Sequence, residues 1–155
     1  MRYSTFFLIA LSCIIFYYDH QTYGFSTHSG LKDHLLYHFC HANVFHLAAN
    51  LLALYAFRPR IYTCIVAYTC AVLVSYIPII IYDTPTMGLS AFLFAAYSRK
   101  FYFHHLNPSR LILLQLAFAF IPGINWMIHI AAFISGYLYW MVYDTYKTLK
   151  FYHLL

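Results

Sequence analysis

Charged residues are scarce in this sequence. Of its 155 residues, 8% are charged, whereas 63% are hydrophobic and 22% are aromatic. The mean hydropathy of +0.66 is too high for a water-soluble domain of this length. Intrinsic disorder is excluded for the same reason, because so much apolar surface does not stay solvated. The composition therefore predicts an integral membrane protein, whose partners include the lipid bilayer.

Cysteine is also sparse, and its spacing does not indicate chemistry. The four cysteines share an apolar sequence context and form no CxxC motif: Cys13, Cys40, Cys64 and Cys70. This pattern is typical of buried free thiols, so we expect no metal and no cofactor. The ten histidines leave a metal site as an alternative. It is disfavoured because His104 and His105 are predicted on the opposite side of the membrane from the other clustered histidines.

Apolar runs separated by charged residues and prolines predict an all-α membrane protein with six transmembrane helices. The predicted spans cover residues 3–18, about 39–57, 61–82, 89–103, 111–121 and 124–143. About 20 residues cross a bilayer, so the chain has room for six spans in one domain, residues 1–155. The fourth span is short, and we expect it to begin below the membrane surface. Trp126 and Trp140 are expected to be interfacial anchors.

The basic residues predict how the spans are oriented. Placing the N-terminus in the cytoplasm leaves only Lys32 in the outer loops. All other basic residues then lie inside: Arg2, Arg58, Arg60, Arg99, Lys100, Arg110, Lys147 and Lys150. This asymmetry predicts cytoplasmic N- and C-termini, and we expect a multi-pass protein of the bacterial cytoplasmic membrane. Because the basic residues are scattered, the net charge of +5 does not indicate a nucleic-acid partner.

Polar side chains within the spans are candidates for function, because burying them in a bilayer is costly. In the second span, Asn43, His46 and Asn50 have the spacing i, i+3, i+7 and share one helix face. With His41, this face is expected to admit water from outside. His34, His38 and His41 are expected at the outer rim.

Ser90 and His129 are predicted to meet between the fourth and sixth spans. Ser90 lies in the first turn of its helix, where backbone N–H groups have no partner within the helix. Small residues form a stripe on each helix: Ala91 and Ala95 on the fourth, Ala132 and Gly136 on the sixth. Such stripes allow helices to approach closely and would carry Ser90 toward His129. His46 falls at the same depth, so the three side chains can converge.

Three sequence motifs resemble those of a known protein family. The segment HANVFHLAAN at 41–50 resembles the HxxxN helix of the rhomboid intramembrane serine proteases. GLSA at 88–91 is similar to their GxSG turn, and HIAAFISG at 129–136 is similar to their histidine helix. Ala91 and Ala132 stand where the family has glycines, and the first loop, 19–33, lacks the tryptophan–arginine pair of many members.

The resemblance implies a rhomboid-like six-helix bundle and a set of site residues. Ser90 would be the nucleophile and His129 the base, while His46, Asn50 and the Ser90 N–H would stabilise the oxyanion. Phe94 would stack on the catalytic imidazole. The predicted supporting residues are Gly88, Phe94, His41, Asn43, Ala132 and Gly136. Without an aspartate inside the membrane, the expected arrangement is a Ser–His dyad.

Two functions remain open at this point. The first is hydrolysis of peptide bonds in transmembrane protein substrates near the outer membrane face. The second is a catalytically inactive rhomboid-like pseudoprotease that binds membrane-protein clients. Both Ser90 and His129 are present, which favours the enzyme. For Ser90 taken alone, a helix-capping role would be the alternative. The oligomeric state does not follow from the sequence.

Overall fold

The computed structural model describes residues 3–19, 23–81, 85–107, 109, 113 and 124–152. Their regular secondary structure is helical, apart from one isolated bridge that joins Phe25 and Thr86. The helices are α1 (Tyr3–Asp19), α2 (Leu31–Leu36), α3 (Val44–Phe57), α4 (Ile61–Val74), α5 (Ser90–Phe103) and α6 (Trp126–Phe151), with a short 3-10 helix at Pro78–Ile80. The prediction of an all-α fold is confirmed for these residues.

Helices occupy five of the predicted spans, while the predicted span 111–121 lies outside the described residues, apart from residue 113. Arg2 and Arg110, which contribute to the predicted orientation, also lie outside them. In the described part of the chain, only α6 is both long and apolar enough to cross a membrane, judged by length and composition. Helices α1, α3 and α4 are apolar but shorter, at 14 to 17 residues.

Helix α3 begins later than predicted, because Asn43 caps it. The Asn43 side chain accepts a hydrogen bond from the backbone N–H of His46 at 2.9 Å, which satisfies one of the unpaired donors of the first turn. Residues 39–43 are therefore not helical. Asn43 is thus an exposed N-cap residue at the start of α3 and lies outside the helix in which it was predicted. It still lines the same cavity as His46 and Asn50.

Helix α4 ends earlier than predicted, and α6 continues further. The Ser75 hydroxyl donates to the Val72 carbonyl at 2.7 Å at the end of α4, and Pro78 follows within one turn. Proline has no N–H group and cannot continue the helical hydrogen bonding. No proline or glycine interrupts residues 144–151, so α6 extends beyond the predicted end at residue 143 to Phe151.

Helix α5 packs between α4 and α6, and its contact with α6 is the most extensive in the described structure. Ala91, Ala95 and Ala132 are buried along this contact. A Cβ atom at Gly136 would overlap Ser98 Oγ and would lie 2.6 Å from the Ala95 carbonyl oxygen. Only glycine allows the two backbones to approach this closely.

The segment that precedes α3 packs against the turn that precedes α5. Phe25 and Thr86 exchange two backbone hydrogen bonds, at 3.0 and 2.8 Å. The Gly88 N–H donates to the Tyr37 carbonyl at 2.8 Å. Tyr37 is buried, and its hydroxyl donates to the Ala71 carbonyl in α4 at 3.0 Å. These contacts hold the turn before Ser90 against the rest of the fold.

Trp140 is not the interfacial anchor that its position predicts. Its side chain is 1% exposed. The indole packs edge-on against Tyr62, Phe103, Tyr139 and Tyr143, which surround it from α4, α5 and α6. The side chain therefore belongs to the interior of the helix bundle.

Candidate active site

Ser90 and His129 face each other across the contact between α5 and α6. Ser90 is the first residue of α5, and His129 lies in the first turn of α6. The distance between Ser90 Oγ and His129 Nε2 is 2.7 Å, which is within hydrogen-bond range. A hydroxyl and an imidazole nitrogen at this distance can exchange a proton directly.

The position of His129 is fixed from two sides. The Phe94 ring lies one turn after Ser90 on α5 and stacks on the imidazole, with ring centroids 4.9 Å apart. Asn125 caps α6, because its side-chain oxygen accepts from the Ile128 N–H at 3.3 Å. Together these contacts determine both the plane of the ring and the start of its helix.

Asn125 also ties α6 to the segment before Ser90. Its Nδ2 donates to the Ile80 carbonyl at 2.8 Å and to Thr86 Oγ1 at 2.9 Å. The sequence motifs predict no role for this residue. An asparagine immediately before an apolar helix is a recognised N-cap signal, but the two long-range hydrogen bonds have no signature in the sequence.

Gly88 brings the serine turn against the polar residues of α3. Its φ of +114° lies in a region that side-chain-bearing residues rarely adopt. A Cβ atom at Gly88 would lie 2.7 Å from His46 Nε2 and 3.4 Å from Asn50 Nδ2. The side chains of His46 and Asn50 therefore converge beside the backbone two residues before Ser90.

Asn50 is a buried side chain with an unused donor. It is 6% exposed, and its Nδ2 has no hydrogen-bond partner in the described part of the chain. A buried amide without a partner is costly, and such costs are common at functional sites. His46, one turn earlier, is half-buried. The two side chains are available as hydrogen-bond donors to a bound group.

The three histidines that are expected at the outer rim are buried within the protein. His34, His38 and His41 are each at most 5% exposed, because the segment around α2 folds back over the helices. His41 Nδ1 donates to the Phe39 carbonyl at 3.2 Å, and its ring packs edge-on against His46. His41 is fully buried and does not line the open cavity that contains Ser90, so the prediction that it contributes to a water-accessible face is wrong.

An open cavity of about 630 Å³ contains the candidate site. This volume is within the range that is typical of ligand-binding sites. Its lining combines polar residues of the site with small and apolar residues: His46, Asn50, Thr86, Gly88, Ser90, Ala91, Phe94, Asn125, Ile128 and His129, among others. Ser90 and His129 are thus accessible to a substrate segment.

A second Ser–His pair provides an internal contrast. His34 Nδ1 lies 2.8 Å from Ser75 Oγ, a distance close to that of the first pair. Ser75 is fully buried, however, and its hydroxyl donates to the Val72 carbonyl. That hydroxyl proton is therefore not directed at the imidazole, and His34 donates to Ser75. This pair is structural, whereas Ser90 opens into a cavity.

The described residues contain no group of three or more His, Cys, Asp or Glu side chains that could hold a metal ion. Two acidic side chains form hydrogen bonds with residues other than His129. Asp33 accepts a hydrogen bond from the Gly30 N–H, and Asp144 accepts one from the Tyr102 hydroxyl.

Comparisons with protein-family models, with curated proteins and with solved structures found no match. The interpretation of the site therefore depends on its geometry.

Proposed function

We propose that this chain is an intramembrane serine protease of the rhomboid type. In this proposal it hydrolyses peptide bonds of transmembrane protein substrates through a dyad of Ser90 and His129. The observation that carries the proposal is the 2.7 Å distance between Ser90 Oγ and His129 Nε2 at the wall of an open cavity. The convergence of His46 and Asn50 on the adjacent turn supports it.

The first half of the reaction forms an acyl-enzyme. His129 Nε2 accepts the proton of the Ser90 hydroxyl as Oγ attacks the carbonyl carbon of the scissile bond. The resulting imidazolium then donates this proton to the leaving amine nitrogen, and the carbon–nitrogen bond breaks. In the second half, His129 takes a proton from water, and the hydroxide formed attacks the ester. The carboxylic acid product leaves and loses its proton to water, and His129 returns the proton it holds to Ser90 Oγ.

The negative charge that develops on the carbonyl oxygen needs donors that are already in place. Asn50 Nδ2 and His46 Nε2 supply two of them from α3. The backbone N–H of Ser90 supplies a third, because first-turn N–H groups of a helix have no acceptor within the helix. Gly88 allows these donors to approach the serine turn without a side chain in the way.

The proposal includes a multi-pass arrangement in a cytoplasmic membrane, with six spans and both termini in the cytoplasm. The apolar character of α1, α3, α4 and α6 and the distribution of basic residues support it. The site would then open toward the outer membrane face. Helix α5 would begin below that face, since 14 residues extend only about 21 Å.

Labelling with a fluorophosphonate probe tests the proposal. We expect the detergent-solubilised protein to be labelled and the Ser90→Ala variant to remain unlabelled. Ser75→Ala is the matched control, because it removes the serine of the structural Ser–His pair, and we expect its labelling to persist. Labelling that survives in Ser90→Ala would contradict the assignment. A folded protein that binds transmembrane segments but is never labelled would favour the pseudoprotease alternative.

A further inference from the structure

A second polar cavity lies at the other end of the helix bundle. Its volume is about 350 Å³, and it is bounded by the start of α4, the end of α5 and the C-terminal half of α6. Ser90 begins α5, and Arg99 lies about 14 Å further along the helix axis. Neither cavity shares a lining residue with the other. In the predicted orientation, this second cavity is on the cytoplasmic side.

The lining of the cavity carries excess positive charge. Arg60, Arg99 and Lys147 line it together with a single acidic residue, Asp144. The Asp144 carboxylate accepts a hydrogen bond from the Tyr102 hydroxyl at 3.1 Å. Between described residues, none of the three cations forms an ion pair. Asp144 can offset only one of the three positive charges, so the cations that line the cavity repel one another, and a bound anion would relieve that repulsion.

Aromatic rings hold two of these cations in place. The Arg99 guanidinium carbon lies 5.0 Å from the Phe103 ring centroid and 5.3 Å from the Trp140 ring centroid. Lys147 Nζ lies 5.4 Å from the ring centroid of Tyr143. A contact with a ring face leaves the in-plane N–H groups of a guanidinium available as donors. The arginine is therefore ordered without an acidic partner.

The N-terminal end of helix α4 borders the same cavity. Thr63 in its first turn lines the cavity, together with the buried ring of Trp140 from α6. Arg60 is the N-cap of the 14-residue helix α4 and makes no side-chain capping bond. The first-turn N–H groups of that helix therefore point toward the end where the cations collect.

We propose that this cavity binds a phosphate group, in the form of an anionic phospholipid headgroup or of free phosphate. Arginine pairs with phosphate oxygens through two parallel N–H donors, and a helix N-terminus favours the same charge. Basic pockets between transmembrane helices on the cytoplasmic side are typical headgroup sites. The proposal does not depend on proteolysis, because no residue of the Ser90 site takes part.

Native mass spectrometry of the full chain tests this proposal. The delipidated protein in an uncharged detergent is mixed with equal amounts of phosphatidylglycerol and phosphatidylcholine. We expect phosphatidylglycerol to be retained preferentially. Arg99→Gln and Lys147→Gln should each lower its apparent affinity by at least about tenfold, because each removes a charge-assisted hydrogen bond to the phosphate oxygens. Lys147 is exposed, so its variant remains informative if Arg99→Gln misfolds.

Lys100→Gln is the matched control, because it removes an equal charge from the adjacent position of α5 but does not line the cavity. We expect its lipid retention to be unchanged.

A second experiment adds inorganic phosphate in the absence of lipid and measures the melting temperature. A rise in melting temperature that Lys147→Gln abolishes would identify free phosphate as the ligand, and no rise would leave the lipid headgroup. Equal retention of both lipids without a phosphate effect would overturn the proposal, as would an equal loss in Lys100→Gln.

Discussion

The ring of Phe94 stacks on the imidazole of His129 with an interplanar angle of 10°. The two residues belong to different helices, α5 and α6, so this contact fixes the imidazole relative to Ser90. Phe94 also lies four residues after Ser90 and projects from the same side of α5. The stacking therefore joins the nucleophile's helix to the base.

We expect Phe94→Ala to lower the turnover of a model transmembrane substrate by about twofold to tenfold. This range corresponds to the 0.5 to 1.5 kcal/mol that an aromatic pair typically contributes. The loss should appear in kcat, because Ser90 remains and only the orientation of His129 changes. Phe94→Tyr keeps the ring and should retain most of the activity. Native turnover in the alanine variant would exclude a positioning role for the ring.

Much of the candidate site was predictable, because its residues are set by helical periodicity. Ser90 begins a helix and His129 lies one turn into another, as the breakers and small-residue stripes indicate. The burial of His34 and His38 was not predictable in this way. It results from the folding of residues 23–43 over the helices, which depends on long-range hydrogen bonds such as Phe25 to Thr86. Such pairings leave no periodic pattern in the sequence.

Gly88→Ala should abolish fluorophosphonate labelling while the protein still folds. The new methyl group would lie 2.6 Å from His46 Cε1, and alanine is strained at a φ of +114°. The serine turn must therefore move away from α3, which separates Ser90 from the oxyanion donors.

Gly30→Ala is the control for the glycine substitution. Gly30 has a φ of −90°, and a Cβ atom there would meet only Asp33 Oδ2, at 4.0 Å. We expect native labelling in this variant. If Gly88→Ala were labelled at the native rate, close approach of His46 to this turn would be unnecessary for activity.

Acidic pH should destabilise the fold through His34. Burial lowers the pKa of His34 below its ordinary value of 6.5, and the nearby Asp33 carboxylate opposes this shift only partly. The unfolded chain therefore binds the proton more readily as the pH falls below 6.5.

The measurement is the melting temperature of the detergent-solubilised protein between about pH 7.5 and about pH 5.5. We expect the decline on acidification to be smaller in His34→Asn than in the native protein, because asparagine keeps a donor near Ser75 without titrating. His28→Asn alters an exposed histidine and should leave the decline unchanged. An identical decline in His34→Asn and in the native protein would rule out His34 as its source.

Graded losses of activity should separate the dyad from the oxyanion donors. Removal of a nucleophile or base in serine catalysis costs about 10⁴-fold or more, so Ser90→Ala and His129→Ala should abolish measurable cleavage. Loss of one oxyanion donor costs about 10² to 10³-fold, or ~2.7 to 4 kcal/mol. His46→Ala and Asn50→Ala should therefore each retain reduced turnover, because the remaining donors still contact the oxygen. The loss should appear in kcat more than in KM, since this contact strengthens in the transition state.

A metal-dependent hydrolase would respond differently to these substitutions. Cleavage that survives Ser90→Ala but stops when a chelator is added would refute the dyad, because neither result is compatible with a serine nucleophile activated by His129.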